Sequence, residues 1–219
     1  MSGHSQAGGG EEERFDYYDE HGVWLGTAPR SEVHARGLWH RSIHCWLARR
    51  EGDRRLVLFQ QRAPGKDTFP GSFDITAAGH LAAGETMRDA AREIEEELGA
   101  AIPFESLLSL GEARKESAGV AKGLAFLDRE ISGVYGYVYP GPLSSLTLQQ
   151  DEVSGVYEAE LEAMIALFDG RRQHARAAGF RLDNEGRAVD AEAEVKASDF
   201  VPRPASYYRD VFQALLHLL

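Results

Sequence analysis

The chain has 219 residues, 43% of them hydrophobic and 27% charged, with a formal net charge of −11; this is the make-up of an ordinary globular protein of one large domain or two small ones. The negative balance argues against broad affinity for nucleic acid or an anionic membrane, so neither is an expected partner. A single cysteine, Cys45, excludes an internal disulfide framework. With no signal-peptide pattern and no apolar run approaching ~18 residues, the expected compartment is the reducing cytoplasm.

Residues 1–13, glycine-rich and then acidic, have almost nothing to bury and read as a flexible tail before one domain over 14–219. Apolar-rich runs at 43–48 and 55–61, joined by Arg-Arg-Glu-Gly-Asp-Arg, predict a strand, a turn and a second strand, and a third strand is expected over 73–78. Further β-rich runs fall at 132–139 and 153–158. Helical spacing marks 161–168 and 205–219, the latter through Tyr208, Val211, Leu215 and Leu218. Residues 171–200 contain the turn-like Asp183-Asn-Glu-Gly186 but no clear period, so 171–219 is read as a C-terminal extension. Strands around few helices make a mixed α/β protein.

One predicted helix carries an unusual charge pattern. Thr86, followed three residues later by Asp89, can open a helix as a capping-box variant, and Gly99 can close it in a left-handed conformation, which bounds the helix at about 87–98. At 3.6 residues per turn Met87, Ala91, Ile94 and Leu98 form an apolar stripe, with Arg92, Glu93, Glu96 and Glu97 round the opposite side and Glu95 pointing elsewhere. Three carboxylates at i, i+3 and i+4 repel by about 0.2–0.5 kcal/mol per pair. A solvated acidic face is one explanation. A hard divalent ion held by carboxylate oxygens is the other.

The segment from Gly79 to Gly99 reads as Gly, five residues, Glu, six residues, then Arg-Glu-Ile-x-Glu-Glu-x-Gly, and it resembles the signature box of the Nudix hydrolases at Gly79, Glu85, Arg92, Glu93, Ile94, Glu96, Glu97 and Gly99. It departs once: the usual seven residues between Glu85 and Arg92 are six here, which puts the pairing of those two in question. The resemblance implies a Nudix α/β/α sandwich with a mixed sheet plus a C-terminal helix. It also implies hydrolysis of a diphosphate linkage in a nucleoside diphosphate derivative or related small molecule, by water activated on Mg²⁺ or Mn²⁺. Glu93, Glu96, Glu97 and a backbone oxygen at Gly79 are the implied metal ligands, and Arg92, Glu96 and Glu97 the implied catalytic groups.

Residues 56–80, with Gln-Gln-Arg, Thr-Phe-Pro-Gly and Gly-His, further resemble the isopentenyl-diphosphate isomerase branch, and the two resemblances together cover roughly 34–165. That branch places a cysteine directly before Gly-His; here the position is Ala78, so the proton-transfer group is missing and hydrolysis is favoured. His34, His40 and His80 stand where the branch carries metal-binding histidines, with polar pocket or surface histidines as the alternative, and His80 joins the expected metal ligands. His44 reads as structural.

The remaining candidates are read from position alone. Arg62, at a strand end before Pro64-Gly65, can contact a phosphate through its planar fork, and Arg41 is similar; an exposed strand-end arginine is the bland alternative for both. Glu152 opens a strand where related enzymes supply another acidic ligand or base, with Glu112 and Glu116 as substitutes. Phe69, Phe73, Tyr207 and Tyr208 offer either a stacking surface, for which Phe69 is the expected substrate contact, or ordinary core packing. Specificity is expected in loops over 113–130 and 171–204. The expected partner is a small-molecule diphosphate, with a homodimer left open. Isomerase-like turnover and ligand binding without catalysis are the competing functions.

Overall fold

The computed structural model describes residues 12–121 and 124–219. The strands are β1 (Arg14–Tyr18), β2 (Trp24–Pro29), β3 (Trp39–Glu51), β4 (Arg54–Arg62), β5 (Phe73–Asp74), β6 (Ala77–His80), β7 (Leu108–Ala121), β8 (Leu124–Val138), β9 (Val153–Glu160), β10 (Ala175–Leu182) and β11 (Ala188–Val195). The helices are α1 (Arg30–Arg36), α2 (Met87–Ala90), α3 (Arg92–Leu98), α4 (Leu161–Phe168) and α5 (Ala205–Leu218). All strands join one mixed sheet, ordered β11-β10-β9-β4-β3-β1-β2, with β5 on β4, β6 on β3, and the β7–β8 hairpin attached through β8.

β3 is the hub. It pairs antiparallel with β1, β4 and β6 and parallel with β8 over Trp39–Ala48, and it can do so because residues on both its faces are buried, as a central strand requires. Period-two alternation divides those faces. Trp46 and Ala48 pack with Val57, Phe59, α4 and α5 in one core, while Ile43, Cys45 and Leu47 pack with Leu58, Ile94 and Leu98 of α3 in the other. The sheet is thus covered by α4 and α5 on one side and by α3 on the other, the layered arrangement expected. Among the described residues no helix is long and apolar enough to cross a membrane.

Four expectations need correction. The helix over 87–98 is divided at Ala91, where Ala91 N–H bonds to Arg88 O and Ile94 N–H to Ala91 O, i to i+3 closures that tighten the chain just before Arg92. Residues 171–200 are largely the β10–β11 hairpin, turned at Asp183–Gly186 and continuing the main sheet through β9, so they are no appendage. The supposed loop at 113–130 is strand on both sides of the undescribed 122–123, paired in register from Leu108↔Gly136 to Ala121↔Leu124. Of the expected tail, residues 1–11 lie outside the described residues. Glu12 and Glu13 are tied to α1, through Ser31 N–H to Glu12 Oε1 at 3.0 Å and Arg30 Nη1 to Glu13 Oε2 at 2.9 Å.

Candidate active site

β6 is the pivot, because the two sides of its short backbone meet different donor groups. On the α3 side, Ala78 N–H donates to Glu97 Oε2 at 3.1 Å, and Gln60 Nε2 donates to the same oxygen at 3.2 Å. Glu97 is 5% exposed and lies among the packed residues of α3 rather than on the wet face assigned from the helical wheel; the β6 backbone amide gives it a polar partner there. Burial, reinforced by the charge of Glu93, pushes its carboxyl up to about 8, against a bond from Ala78 that pulls the other way. Glu93 lies against Gly79 so closely that a Cβ there would sit 2.2 Å from Glu93 Cδ.

The shortened spacing does not break the Glu85–Arg92 pair. Arg92 Nε and Nη2 donate to the two carboxylate oxygens of Glu85 at 3.0 and 3.1 Å, a bidentate fork, and Glu85 also accepts from Ala82 N–H at 2.8 Å. Nη1 of Arg92 reaches Glu93 and, at 3.1 Å, Glu96. The carboxylate repulsion foreseen on this helix is therefore partly offset by the chain's own guanidinium. Glu95 is exposed and outside this network.

On the opposite side of the sheet, His80 meets His34 and His40, with ring centroids 5.9 and 5.0 Å away. The fourth member is Asp128, whose Oδ1 is 3.6 Å from His40 Nε2 and 4.0 Å from His34 Nε2. Donor atoms of all four lie within 4.8 Å of one another, and among the described residues this is the one such set of three or more His, Cys, Asp or Glu side chains. The box glutamates are not gathered to that degree. His40 Nε2 and Asp128 Oδ1 are buried without hydrogen-bond partners, and burial holds His34 and His40 down to about 4 and about 3, so both imidazoles are neutral at pH 7 and have lone pairs to offer. Three imidazoles and a carboxylate suit a borderline transition metal; the oxygens of Glu93, Glu96, Glu97 and the Gly79 backbone suit Mg²⁺ or Mn²⁺. Both donor sets are chemically fit for a divalent ion.

Two lysines stand near these groups. Lys115 Nζ is 3.4 Å from Asp128 Oδ2 and 4.0 Å from Glu130 Oε1. Lys66 pairs with Glu152, and its own titration is lowered by desolvation and then by Arg62, with Glu97 acting against them. Phe69, the one non-glycine residue among those described with positive φ (48°), lies 6.0 Å from Lys115 Nζ and belongs to none of the apolar cores. Arg62 is committed elsewhere: it donates to Thr68 O and Asp74 Oδ2, both at 3.1 Å, and so braces the loop bearing Lys66 and Phe69. Arg41 stands over the Tyr18 ring on the face of β3 opposite His40. Glu112 and Glu116 are exposed and pair with Arg114 and Arg129.

Phe73 and Tyr208 are core residues, whereas Tyr207 is only partly buried. Asp128, Glu130, Lys66 and Lys115 were not singled out from the sequence; the acidic pair at i and i+2 in Asp128-Arg-Glu130 was the available signal.

The Nudix-domain family profile matches residues 38–178. The chain belongs to the Nudix family. It is 37% identical over 206 residues to an uncharacterized Nudix hydrolase of Clostridium acetobutylicum, covering 94% of this chain and 98% of that one. It is 39% identical over 149 residues to Nudix hydrolase 3 of Arabidopsis thaliana, which is 66% of this chain but only 19% of the plant protein. An isopentenyl-diphosphate Delta-isomerase of Mycolicibacterium vanbaalenii is 41% identical over 86 residues, 38% of this chain and 46% of that enzyme. A crystal structure of a Deinococcus radiodurans protein shares the fold, with a TM-score of 0.53 at 21% identity, covering 72% of this chain and 90% of that one. Family membership makes the chain a Nudix pyrophosphohydrolase, of a class that generally uses divalent metal ions.

Proposed function

We propose that this Nudix hydrolase cleaves the diphosphate linkage of a nucleoside diphosphate derivative or related small molecule, with Glu93, Glu96, Glu97 and the Gly79 backbone oxygen holding Mg²⁺ or Mn²⁺. The observation that carries the reading is the Glu85–Arg92 fork, which survives the shortened spacing and keeps the box carboxylates beside β6. Bound there, a divalent ion supplies charge neutralisation for the diphosphate and acidifies water. The chain's own groups do the rest. Arg92 orients Glu93 and Glu96, Lys66 and Lys115 present positive charge to the phosphates, and Glu152, beside Lys66 and a third exposed, takes the proton of the attacking water. Phe69, on the loop that Arg62 braces, faces Lys115 and contacts the substrate beside it. The site is cytoplasmic in this reading, within one domain over 14–219.

A metal-dependent hydrolysis screen over nucleotide sugars, dinucleoside polyphosphates, nucleoside triphosphates, coenzymes and prenyl diphosphates, reading the mononucleotide, phosphomonoester or pyrophosphate products by anion-exchange chromatography, tests the proposal. Cleavage abolished by chelation and restored by Mg²⁺ supports it; no cleavage of any member of the panel contradicts it. The His34/His40/His80/Asp128 set and the partial likeness to an isomerase favour a second reading, double-bond isomerisation of a prenyl diphosphate. Ala78 counts against that reading, because a methyl group exchanges no proton, and Cys45 cannot substitute: it is fully buried and its thiol is pushed up to about 12.

A further inference from the structure

β4 ends at Arg62, which braces the loop bearing Lys66, and begins at Arg54, roughly 26 Å away along the strand. At the Arg54 end, beside the close of β9 and the start of β10, a cavity of about 370 Å³ opens, within the ~300–1,000 Å³ usual for small-molecule sites. Arg172, His174 and Arg176 line it at alternate positions, while Ala175 and Ala177 are buried in the core with α4. Of the lining residues Ala163 alone is apolar, so charge and not hydrophobic surface decides what this space can hold.

The charges do not cancel. Arg54 is engaged, its Nε donating to Glu160 Oε1 at 3.2 Å and its Nη1 to Glu51 Oε2 at 3.0 Å. Glu194 stands opposite Arg176 in the β10–β11 register, with its side chain 69% exposed and its Oε2 3.9 Å from His174 Nδ1. Arg172 and Arg176 have no ion pair or side-chain hydrogen bond among the described residues. Two unpaired guanidinium groups against one solvated carboxylate leave the cavity cationic in a chain of net charge −11. His174 Nδ1 is turned inwards, buried and without a hydrogen-bond partner, which leaves Nε2, across the ring, as the nitrogen that can meet a ligand. The N-terminus of α4 adds to the positive field: no side chain caps it, and Ala163 in its first turn lines the cavity.

We propose that this cavity is an anion site for the phosphate group of a small molecule, held by Arg172, His174 and Arg176 and separate from the site of hydrolysis. Two guanidinium forks and an imidazole offer donors from three positions, which suit the three or four oxygens of a tetrahedral phosphate better than the two of a carboxylate. The cavity shares no residue with the proposed diphosphate site, so the two stand or fall separately.

Titration calorimetry of the Mg²⁺-loaded protein at low ionic strength, with orthophosphate and acetate as probes, tests it. The wild-type protein is expected to bind orthophosphate with a Kd of about 1 mM or lower and acetate at least 10-fold more weakly. Arg172→Gln/Arg176→Gln is expected to weaken orthophosphate binding 10-fold or more. Both arginines are exposed, and an unchanged urea midpoint shows that the double variant is folded. Lys66→Gln/Lys115→Gln, which removes the lysines near the box, should leave the orthophosphate affinity within about twofold. No saturable binding to the wild-type protein, or binding untouched by the arginine changes, overturns the site. Binding lost in the lysine variant instead places the anion at the diphosphate site and overturns it too, and acetate binding as tightly as orthophosphate overturns the phosphate class.

Discussion

Gly79→Ala isolates the contact between β6 and the box helix. Gly79 does not have positive φ, so alanine adds no backbone strain; its Cβ, however, would meet Glu93 at 2.2 Å from Cδ, 2.4 Å from Cγ and 2.6 Å from Oε2. Ordinary carbon contacts need about 3.5 Å or more, so Glu93 must shift by roughly 1 Å, taking its bond from Arg92 with it. Overpacking of this size costs about 1–3 kcal/mol, and a displacement of ~1 Å in a catalytic group costs on the order of 10²-fold in rate. The matched control is Gly65→Ala, whose Cβ has nothing within 4 Å. Urea unfolding and kcat/KM at saturating Mg²⁺, measured on both variants against wild type, give the two numbers. Gly79→Ala with stability and kcat/KM within threefold of Gly65→Ala would refute the claim that Glu93 is held in a working position against β6.

Activity is expected to require Mg²⁺ or Mn²⁺ and to rise towards alkaline pH, since the attacking water must lose a proton; turnover undiminished after thorough chelation refutes this. Purified protein should not interconvert isopentenyl and dimethylallyl diphosphate, because Ala78 has no exchangeable proton, and proton NMR of the incubated substrate checks it. The metal-free protein should be most stable near pH 6.5. Glu97, raised from 4.5 to about 8, holds a proton when folded that the unfolded chain releases, so its contribution is present below pH 4.5 and lost as pH rises to 8; His34 and His40, lowered from 6.5, contribute above pH 6.5 and lose that as pH falls towards about 4 and about 3. Thermal melts in chelator should show the alkaline fall flattened by Glu97→Gln alone, and an unchanged fall counts against the buried carboxyl as its source.

What the sequence disclosed follows from how local each feature is. The box from Gly79 to Gly99 lies on a loop and a helix, so its glutamates could be named as candidate ligands from spacing within about two dozen residues, whereas that spacing put the Glu85–Arg92 pair in question and only the structure shows it made. Asp128 could not be placed beside His34, His40 and His80 in that way, because only the parallel pairing of β8 with β3 brings it there, and register between distant strands leaves no local mark. Residues 113–130 of the β7–β8 hairpin read as loop because Glu112, Arg114 and Glu116 alternate with small or polar residues on an arm exposed along one face. β10 and β11 were missed because alanine, glycine and acidic residues fill positions where β-branched residues signal a strand. Glu97 shows the limit of the helical wheel: its angle is that of a wet residue, and the β6 backbone makes it a buried one.

The most direct test of the central claim, that these glutamates serve a metal and are not a solvated face, compares Glu96→Gln, Glu97→Gln and Glu95→Gln. Each keeps side-chain size and replaces an ionisable carboxyl by a neutral amide, and Glu95 is exposed and outside the Arg92 network. The measurement is kcat for diphosphate hydrolysis with a Mg²⁺ titration on each variant. Loss on the order of 10²-fold in the Glu96 and Glu97 variants, the scale of removing a key electrostatic group, with a raised Mg²⁺ requirement and Glu95→Gln near wild type, is the result expected. Equal activity and equal Mg²⁺ dependence in all three variants would contradict the claim.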